Sequence, residues 1–221
     1  MPHVIGIIPA RYQSRRFPGK PLALLGGVPL IVRVLETAQK AKLISEAFVA
    51  TDDDRIASTV KQFGGRVLMT SSDPPTGSDR VAEAASSLAS GEFIINIQGD
   101  EPFLSRDVID KVISALDDPE VVMSTACSPI KDQSRADDPN VVKLVLDRAG
   151  NALYFSRSRI PHDRSGEAGI SRLYRHIGIY GFKRDFLMKF RSLERTPLEK
   201  SEGLEQLRAL EHGYNIRTVV V

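Results

Sequence analysis

Four cations fall within ten residues in the string Pro9-Ala10-Arg11-Tyr12-Gln13-Ser14-Arg15-Arg16-Phe17-Pro18-Gly19-Lys20-Pro21-Leu22, namely Arg11, Arg15, Arg16 and Lys20. Guanidinium and ammonium groups at this density, with Ser14 as a further donor and Gly19 permitting close backbone approach, suit a polyphosphate. The spacing excludes two common phosphate loops. No G-x-x-x-x-G-K-[ST] is present, since Ser14 stands at the first glycine position and Pro21 at that of the Ser/Thr, and no G-x-G-x-x-G follows the preceding apolar run. On charge alone, a solvated basic loop is an equal alternative.

A second chemical signal is Asn96-Ile97-Gln98-Gly99-Asp100-Glu101-Pro102. A carboxylate beside a glycine bend can bind Mg²⁺ through one oxygen while phosphate and water complete the shell, and Asp100 is the candidate. Taken in isolation the same residues also describe an ordinary Gly-Asp turn. Pro75-Thr76-Gly77-Ser78-Asp79-Arg80 opens a helical pattern whose free N–H groups can face a base or phosphate. Thr76 or Ser78 would cap that helix, with the serine favoured. Asp52, Asp53 and Asp54 read as a loop and helix start.

In the second half, Tyr154-Phe155-Ser156-Arg157-Ser158-Arg159-Ile160-Pro161 reads as an aromatic-anchored turn whose arginines can grip a carboxylate. Tyr174–Phe182 alternates as a strand, placing His176, Gly178 and Tyr180 on one face. Glu205 and Gln206 lie on an amphipathic helix over 197–210, where they face a cleft or solvent. His3, His162 and His212 lack partners at metal-ligand spacing, and Cys127 reads as a buried strand residue.

The elements that must position these groups alternate. Strands are expected at Val4–Ile8, Ala47–Thr51, Arg66–Thr70 and Phe93–Gln98, apolar enough to be covered on both faces. Helices are expected at Leu30–Lys42, Arg55–Phe63, Ser78–Leu88 and Ser105–Leu116. This is the rhythm of βαβ units, hence an α/β fold with a mostly parallel sheet. Both the basic loop and the carboxylate turn then lie at the carboxyl ends of strands, where open α/β sheets bind ligands. Beyond residue 120 longer strand-like stretches follow, Val121–Ser128, Val141–Leu146 and His176–Phe182, which suggest an inserted subdomain within a single domain of 221 residues.

Thirty Lys and Arg against 28 Asp and Glu give a net charge of +2, too balanced for a nucleic-acid binder. No apolar run approaches bilayer length and Met1-Pro2-His3-Val4 carries no basic leader, so no membrane partner and a cytoplasmic location are expected. A single cysteine excludes an intrachain disulfide and a thiolate zinc site. The apolar run Ile216–Val221 ends abruptly, and residues beyond Val221 are expected to be missing from this sequence.

Several of these strings resemble a known family. P-A-R-x-x-S-x-R-x-P-G-K-P-L is similar to the signature loop of the sugar nucleotidyltransferases, and N-[IV]-Q-G-D-E-P resembles the 3-deoxy-manno-octulosonate (Kdo) cytidylyltransferases, whose sialic acid relatives carry a different string there. Y-F-S-R-x-x-I-P, R-H-x-G-I-Y-G-[FY] and P-L-E-x-x-E-x-L-E-Q-L-R follow in family order, with Gly203 replacing a larger family residue in what reads as a helix interior. The resemblance implies a three-layer Rossmann-like nucleotidyltransferase fold in which about 121–185 holds a sugar-binding and dimerisation subdomain. It also implies transfer of CMP from CTP to Kdo with release of pyrophosphate, for lipopolysaccharide synthesis, with Mg²⁺ as cofactor and a homodimer as the assembly. By the same resemblance Arg11, Ser14, Arg16 and Lys20 hold the triphosphate, with Lys20 nearest the α-phosphate, and Arg15 lies outside the motif. Gly77, Arg80 and Gln98 lie against the nucleotide, Asp100 binds the metal, and Gln98, Arg157, His176, Tyr180, Glu205 and Gln206 contact the sugar. Family members continue into a G-V-D-T-P-E-D-L segment whose Asp supplies a second metal carboxylate. The competing readings are a cytidylyltransferase for another acid sugar, sialic acid or 8-amino-Kdo, and a nucleotide-binding module without catalysis.

Overall fold

The structure is a computed structural model that describes residues 2–13, 17–164 and 173–221. In chain order the elements are β1 (Val4–Ala10), β2 (Leu24–Leu25), β3 (Val28–Pro29), α1 (Leu30–Gln39), β4 (Glu46–Thr51), α2 (Asp54–Gln62), β5 (Arg66–Met69), α3 (Gly77–Ser86), β6 (Phe93–Ile97) and α4 (Arg106–Ser114). They continue as β7 (Met123–Pro129), α5 (Gln133–Asp137), β8 (Lys143–Leu146), β9 (Ala152–Ser156), β10 (Tyr174–Lys183), α6 (Arg184–Ser192), α7 (Pro197–Glu202), α8 (Leu207–Glu211) and β11 (Arg217–Val220).

Among the described residues the main sheet has the order β11-β7-β10-β6-β1-β4-β5, with β8 and β9 off that path and β2–β3 a separate hairpin. Every strand on the path runs parallel to its neighbours except β10, which is antiparallel to both β6 and β7. The alternation of side chains across β1 builds the two covered faces. Val4 and Ile8 pack with α1, α2 and α4, whereas Ile5 and Ile7 pack with α3, α6 and α8. These two apolar layers on either side of one sheet give the three-layer α/β architecture expected. The segment 121–185 contributes β7 and β10 to the central sheet itself, and only the β8–β9 hairpin lies off its path.

Local chemistry explains where helices begin. The Asp53 carboxylate accepts from the Arg55 and Ile56 N–H groups at the start of α2, and Ser105 accepts from Val108 at the start of α4. At α3 the cap is Thr76, which accepts from the Asp79 N–H. Ser78, the residue the sequence favours, sits inside the helix fully buried, with its hydroxyl committed elsewhere.

Three elements differ from expectation. The single helix expected over 197–210 is two short helices, because Gly203 adopts φ 64° and ends α7. Gly203 is therefore a helix terminator rather than a helix-interior residue. Ala152–Ser156 is a strand paired with β8, where the sequence suggested a turn from Tyr154 onward. Helix α6 follows β10 without a break; its apolar positions Phe186, Leu187 and Phe190 carry the signal that escapes the sequence reading. Cys127 is buried in β7 and burial pushes its thiol up to about 12, in keeping with a structural role.

Candidate active site

The carboxyl ends of β1 and β6 bring the basic loop and the carboxylate turn together. Lys20 Nζ donates to Asp100 Oδ2 at 2.8 Å, joining two residues the sequence singled out separately. The Tyr12 ring of the basic loop lies under the Arg55 guanidinium, 3.3 Å from its centroid. Ser14 and Arg16 lie outside the described residues.

Arg80 projects from α3 and is fully buried. It is paired with Asp52 at 3.2 Å, donates to the Ser71 carbonyl at 3.1 Å and also donates to Thr70 Oγ1. Burial lowers its pKa, Asp52 opposes that, and Arg11 adds a further lowering by its positive charge, which puts the two arginines in one electrostatic neighbourhood. Arg11 Nη2 and Arg80 Nε and Nη2 are buried N–H groups with no protein acceptor among the described residues. Uncompensated donors of this kind suit an anionic or carbonyl-bearing ligand. Asp52, which the sequence assigns to a loop and helix start, is thus the counter-ion of a candidate binding arginine.

Gln98 occupies the junction between this basic region and a neighbouring cleft. A Cβ at Gly77 would stand 3.5 Å from Gln98 Nε2, and one at Gly178 would stand 3.2 Å from Gln98 Cγ. Helix α3 and strand β10 therefore approach the glutamine through glycines, and the Gly178 contact leaves little room for a side chain.

The cleft has a volume of about 420 Å³, and Thr76, Gly77, Gln98, Tyr180, Glu205 and Gln206 are among its lining residues. Glu205 accepts from Ser78 Oγ at 2.8 Å and from the Ser78 N–H at 3.2 Å. Behind it Asn96 Nδ2 donates to Ser78 Oγ at 3.0 Å, and Gln98 Nε2 donates to Asn96 Oδ1 at 3.4 Å. A hydrogen-bonded chain thus runs from Gln98 to Glu205. Burial raises the Glu205 pKa, and the hydrogen bonds from Ser78 and Thr76 pull it back. Tyr180 Oη donates to Gln206 Oε1 at 3.0 Å, and burial pushes the phenol well above its ordinary value. Gln206 Nε2 has no protein partner among the described residues, so its amide is an available donor in the cleft wall.

His176 packs its ring 5.3 Å from Tyr180 and edge-on to Phe155 at 5.2 Å. It shares a face of β10 with Tyr180, as the alternation predicts, and the bulge between Ile177 and Tyr180 draws the two rings together. Arg157 is placed apart from this cluster. Its Nε donates to the Glu202 carbonyl at 2.8 Å and its Nη1 to the Pro139 carbonyl at 3.0 Å, so it ties the end of β9 to α7 and is not among the residues lining the cleft.

A cytidylyltransferase family model matches residues 5–216. The 3-deoxy-manno-octulosonate cytidylyltransferase of Leptospira interrogans is 50% identical over 217 residues, covering 98% of this chain and 87% of that protein. The enzyme of the same name from Geobacter sulfurreducens is 49% identical over 227 residues, covering 98% and 90%. The solved structure of a CMP:2-keto-3-deoxy-manno-octonic acid synthetase complexed with CTP is 40% identical, with TM-score 0.93 over 99% of this chain and 90% of that one. The chain belongs to the 3-deoxy-manno-octulosonate cytidylyltransferases.

The residues missed by sequence reasoning are those behind the candidate binding groups. Ser78 and Asn96 sit inside quoted motifs, yet only the fold shows that they hold Glu205. Glu101 is half-buried beside Asp100; burial and then the Asp100 charge raise its pKa, against Arg175 and Lys20. Under the cleft, Arg208 makes a bidentate pair with Glu199, at 2.9 and 2.8 Å, and reaches Asp79 at 3.3 Å. This triad locks α7 and α8 to α3, and separations of 9 and 129 positions give the sequence no helical-pair signal for it. Among the described residues, no three or more His, Cys, Asp or Glu side chains gather as a metal centre, and no helix is long and apolar enough to cross a membrane.

Proposed function

We propose that the basic loop, the Asp100 turn and the Gln98-to-Glu205 cleft form one active site in which CMP passes from CTP to the anomeric hydroxyl of Kdo, giving CMP-Kdo and pyrophosphate for lipopolysaccharide synthesis. The observation that carries this reading is the position of Gln98, in contact distance of α3 on one side and of the β10 bulge on the other. It joins a cationic region suited to a triphosphate to a polar cleft suited to a sugar rich in hydroxyls. Arg11, Arg80 and Lys20 bind and neutralise the nucleotide. Gln98, Tyr180, Glu205 and Gln206, with His176 behind them, orient the acid sugar for in-line attack on the α-phosphorus.

Positioning and charge neutralisation are the main catalytic contributions such a displacement needs. The electron pair of the anomeric hydroxyl forms the new P–O bond as the bond to pyrophosphate breaks, and the hydroxyl proton passes to water. Lys20 stabilises negative charge growing on the phosphate oxygens. The donor set fits Mg²⁺: Asp100 is a half-exposed carboxylate at a strand tip, and Mg²⁺ commonly takes one or two carboxylates, with phosphate and water oxygens completing its shell. Bound there, the ion would supply further charge neutralisation to the phosphates.

CTP as substrate supports the reading of a cytoplasmic reaction, since nucleoside triphosphates are made there. The β8–β9 hairpin, which leaves Leu153 61% exposed, supports this half of the chain as the face of a homodimer, to be checked by sedimentation. The deciding assay is pyrophosphate release from CTP with Kdo and Mg²⁺. Release dependent on both Kdo and Asp100, lost in Asp100→Ala, supports the assignment; release that proceeds equally with Asp100→Ala removes Asp100 from the site.

A further inference from the structure

Thr125, in the middle of β7, is fully buried, and its hydroxyl is held at two distances that together leave one arrangement of protons. Oγ1 lies 2.7 Å from the Ile179 carbonyl oxygen and 2.9 Å from His176 Nε2. A hydroxyl has one proton to give, and a carbonyl oxygen can only accept. The threonine proton therefore points at Ile179, and Oγ1 turns a lone pair toward the imidazole. Nε2 must carry the proton of that contact, which leaves Nδ1 as the bare nitrogen of a neutral ring.

The backbone explains why the carbonyl is there. β10 pairs with β7 as Ile177↔Ala126 and then Tyr180↔Thr125, so Gly178 and Ile179 have no counterparts in β7. Two extra residues buckle the strand, and the Ile179 carbonyl turns to the Thr125 side chain. The same buckle shortens the path from His176 to Tyr180. Four residues of regular strand span roughly 13 Å, whereas these two rings are 5.3 Å apart. Packing between Phe155 and Tyr180 keeps the imidazole neutral, with burial depressing its pKa to about 3.

We propose that Thr125 is a positioning residue that fixes His176 as its Nε2–H tautomer, so that Nδ1 is presented as a hydrogen-bond acceptor to a hydroxyl of the acid sugar. This rests on the reading of His176 as part of the acceptor site. Thr125 itself acts through the histidine and through the bulge carbonyl. The His176 ring is not itself in the cleft lining but packs 5.3 Å from Tyr180, which is, so its acceptor nitrogen complements the Gln206 Nε2 donor in the wall, and the pair would read a hydroxylated chain by one accepted and one donated hydrogen bond.

The test uses the full chain labelled with ¹⁵N-histidine, with Thr125→Val, Thr125→Ser and His176→Ala compared with wild type. Nitrogen spectra of the wild type are expected to show His176 with Nε2 protonated and Nδ1 bare. In Thr125→Val, Nε2–H loses its acceptor and an Nδ1–H population appears. KM for Kdo then rises roughly tenfold, the worth of one hydrogen bond, while KM for CTP stays within about twofold, and Thr125→Ser restores both spectrum and KM. A wild-type His176 protonated at Nδ1 overturns the proposal, as does a Thr125→Val enzyme whose sugar KM rises without a change of tautomer, or whose tautomer changes while KM stays put. If His176→Ala also leaves KM for Kdo unchanged, the fault lies in placing His176 at the acceptor site; if His176→Ala alone raises it, the site stands and the role of Thr125 falls.

Discussion

Ser78 Oγ and Glu205 Oε1 lie 2.8 Å apart although 127 positions separate them in the chain. That bond, with the Ser78 N–H on the second carboxylate oxygen, is what makes a half-buried glutamate tolerable at the floor of the cleft. Burial still dominates, so the folded Glu205 pKa lies above its ordinary 4.5. A folded carboxyl that holds its proton more tightly than the unfolded one stabilises the protein fully below 4.5, and that contribution is lost as pH rises through the folded value. Stability relative to Glu205→Gln is therefore expected to fall as pH rises above 4.5, measured by urea unfolding. Ser78→Ala removes a hydrogen bond that lowers the pKa, so it should extend this loss to higher pH and cost about 1.5–3 kcal/mol at neutrality.

Lys20 and Asp100 illustrate the opposite case. Their side chains are 40% and 56% exposed, so the ion pair is worth about 0–1 kcal/mol to the fold. Lys20→Ala is expected to leave the melting temperature nearly unchanged and to lower kcat by about 10²-fold or more, the scale of removing one electrostatic stabiliser of the transition state. Calorimetry and steady-state kinetics on one preparation check both halves.

Gly203 has φ 64° and open space around its Cα. Alanine there meets no neighbour, so its cost is the backbone conformation alone, about 1–2 kcal/mol. Glu205 and Gln206 follow directly on this turn. Gly203→Ala is accordingly expected to raise KM for the sugar while leaving KM for CTP unchanged, with a modest drop in the urea midpoint.

Arg208 is 2% exposed and bridges Glu199 and Asp79. Burial works to raise the Glu199 pKa, but the Arg208 and Arg195 contacts outweigh it and the carboxyl stays ionised. Arg208→Met leaves buried Asp79 without its cation and Glu199 with Arg195 alone, and should cost about 3–5 kcal/mol. Adding Glu199→Leu should recover part of that loss, because a well-packed apolar pair replaces an uncompensated charge. A double-mutant unfolding cycle measures it.

Much of the fold is legible because strands covered on both faces must be largely apolar, as in Val4–Ile8 and in Phe93–Ile97 apart from Asn96, and because helices must carry a 3.6-residue apolar face, as in α1. Local signals set those patterns. The break at Gly203 is harder to read, since a helix interior and a helix end differ there only by one glycine whose φ is a property of the folded chain. The candidate site is legible for a related reason: Lys20 and Asp100, and Gln98, Tyr180, Glu205 and Gln206, which the structure brings together, are polar or charged residues within recognisable strings. Arg157 has the same kind of string, yet its guanidinium is taken by the Glu202 and Pro139 carbonyls, competitors that no spacing reveals. Thr125 carries no motif, and its importance arises only from a bulge in the strand next to it.

The reversed strand β10 has a bearing on how the chain comes into being. In the finished sheet it fills the slot between β6 and β7, but β7 leaves the ribosome well before it. At synthesis rates of about 5–20 residues per second, one edge of β6 waits seconds for its native partner. During that interval β7 is the nearest available strand, and β7 beside β6 would be a parallel pairing that shuts β10 out. The bulge that shapes the sugar side of the cleft thus belongs to a late arrival, and a nascent chain stalled before Tyr174 holds the nucleotide half with an open, aggregation-prone flank where the acceptor half should join it.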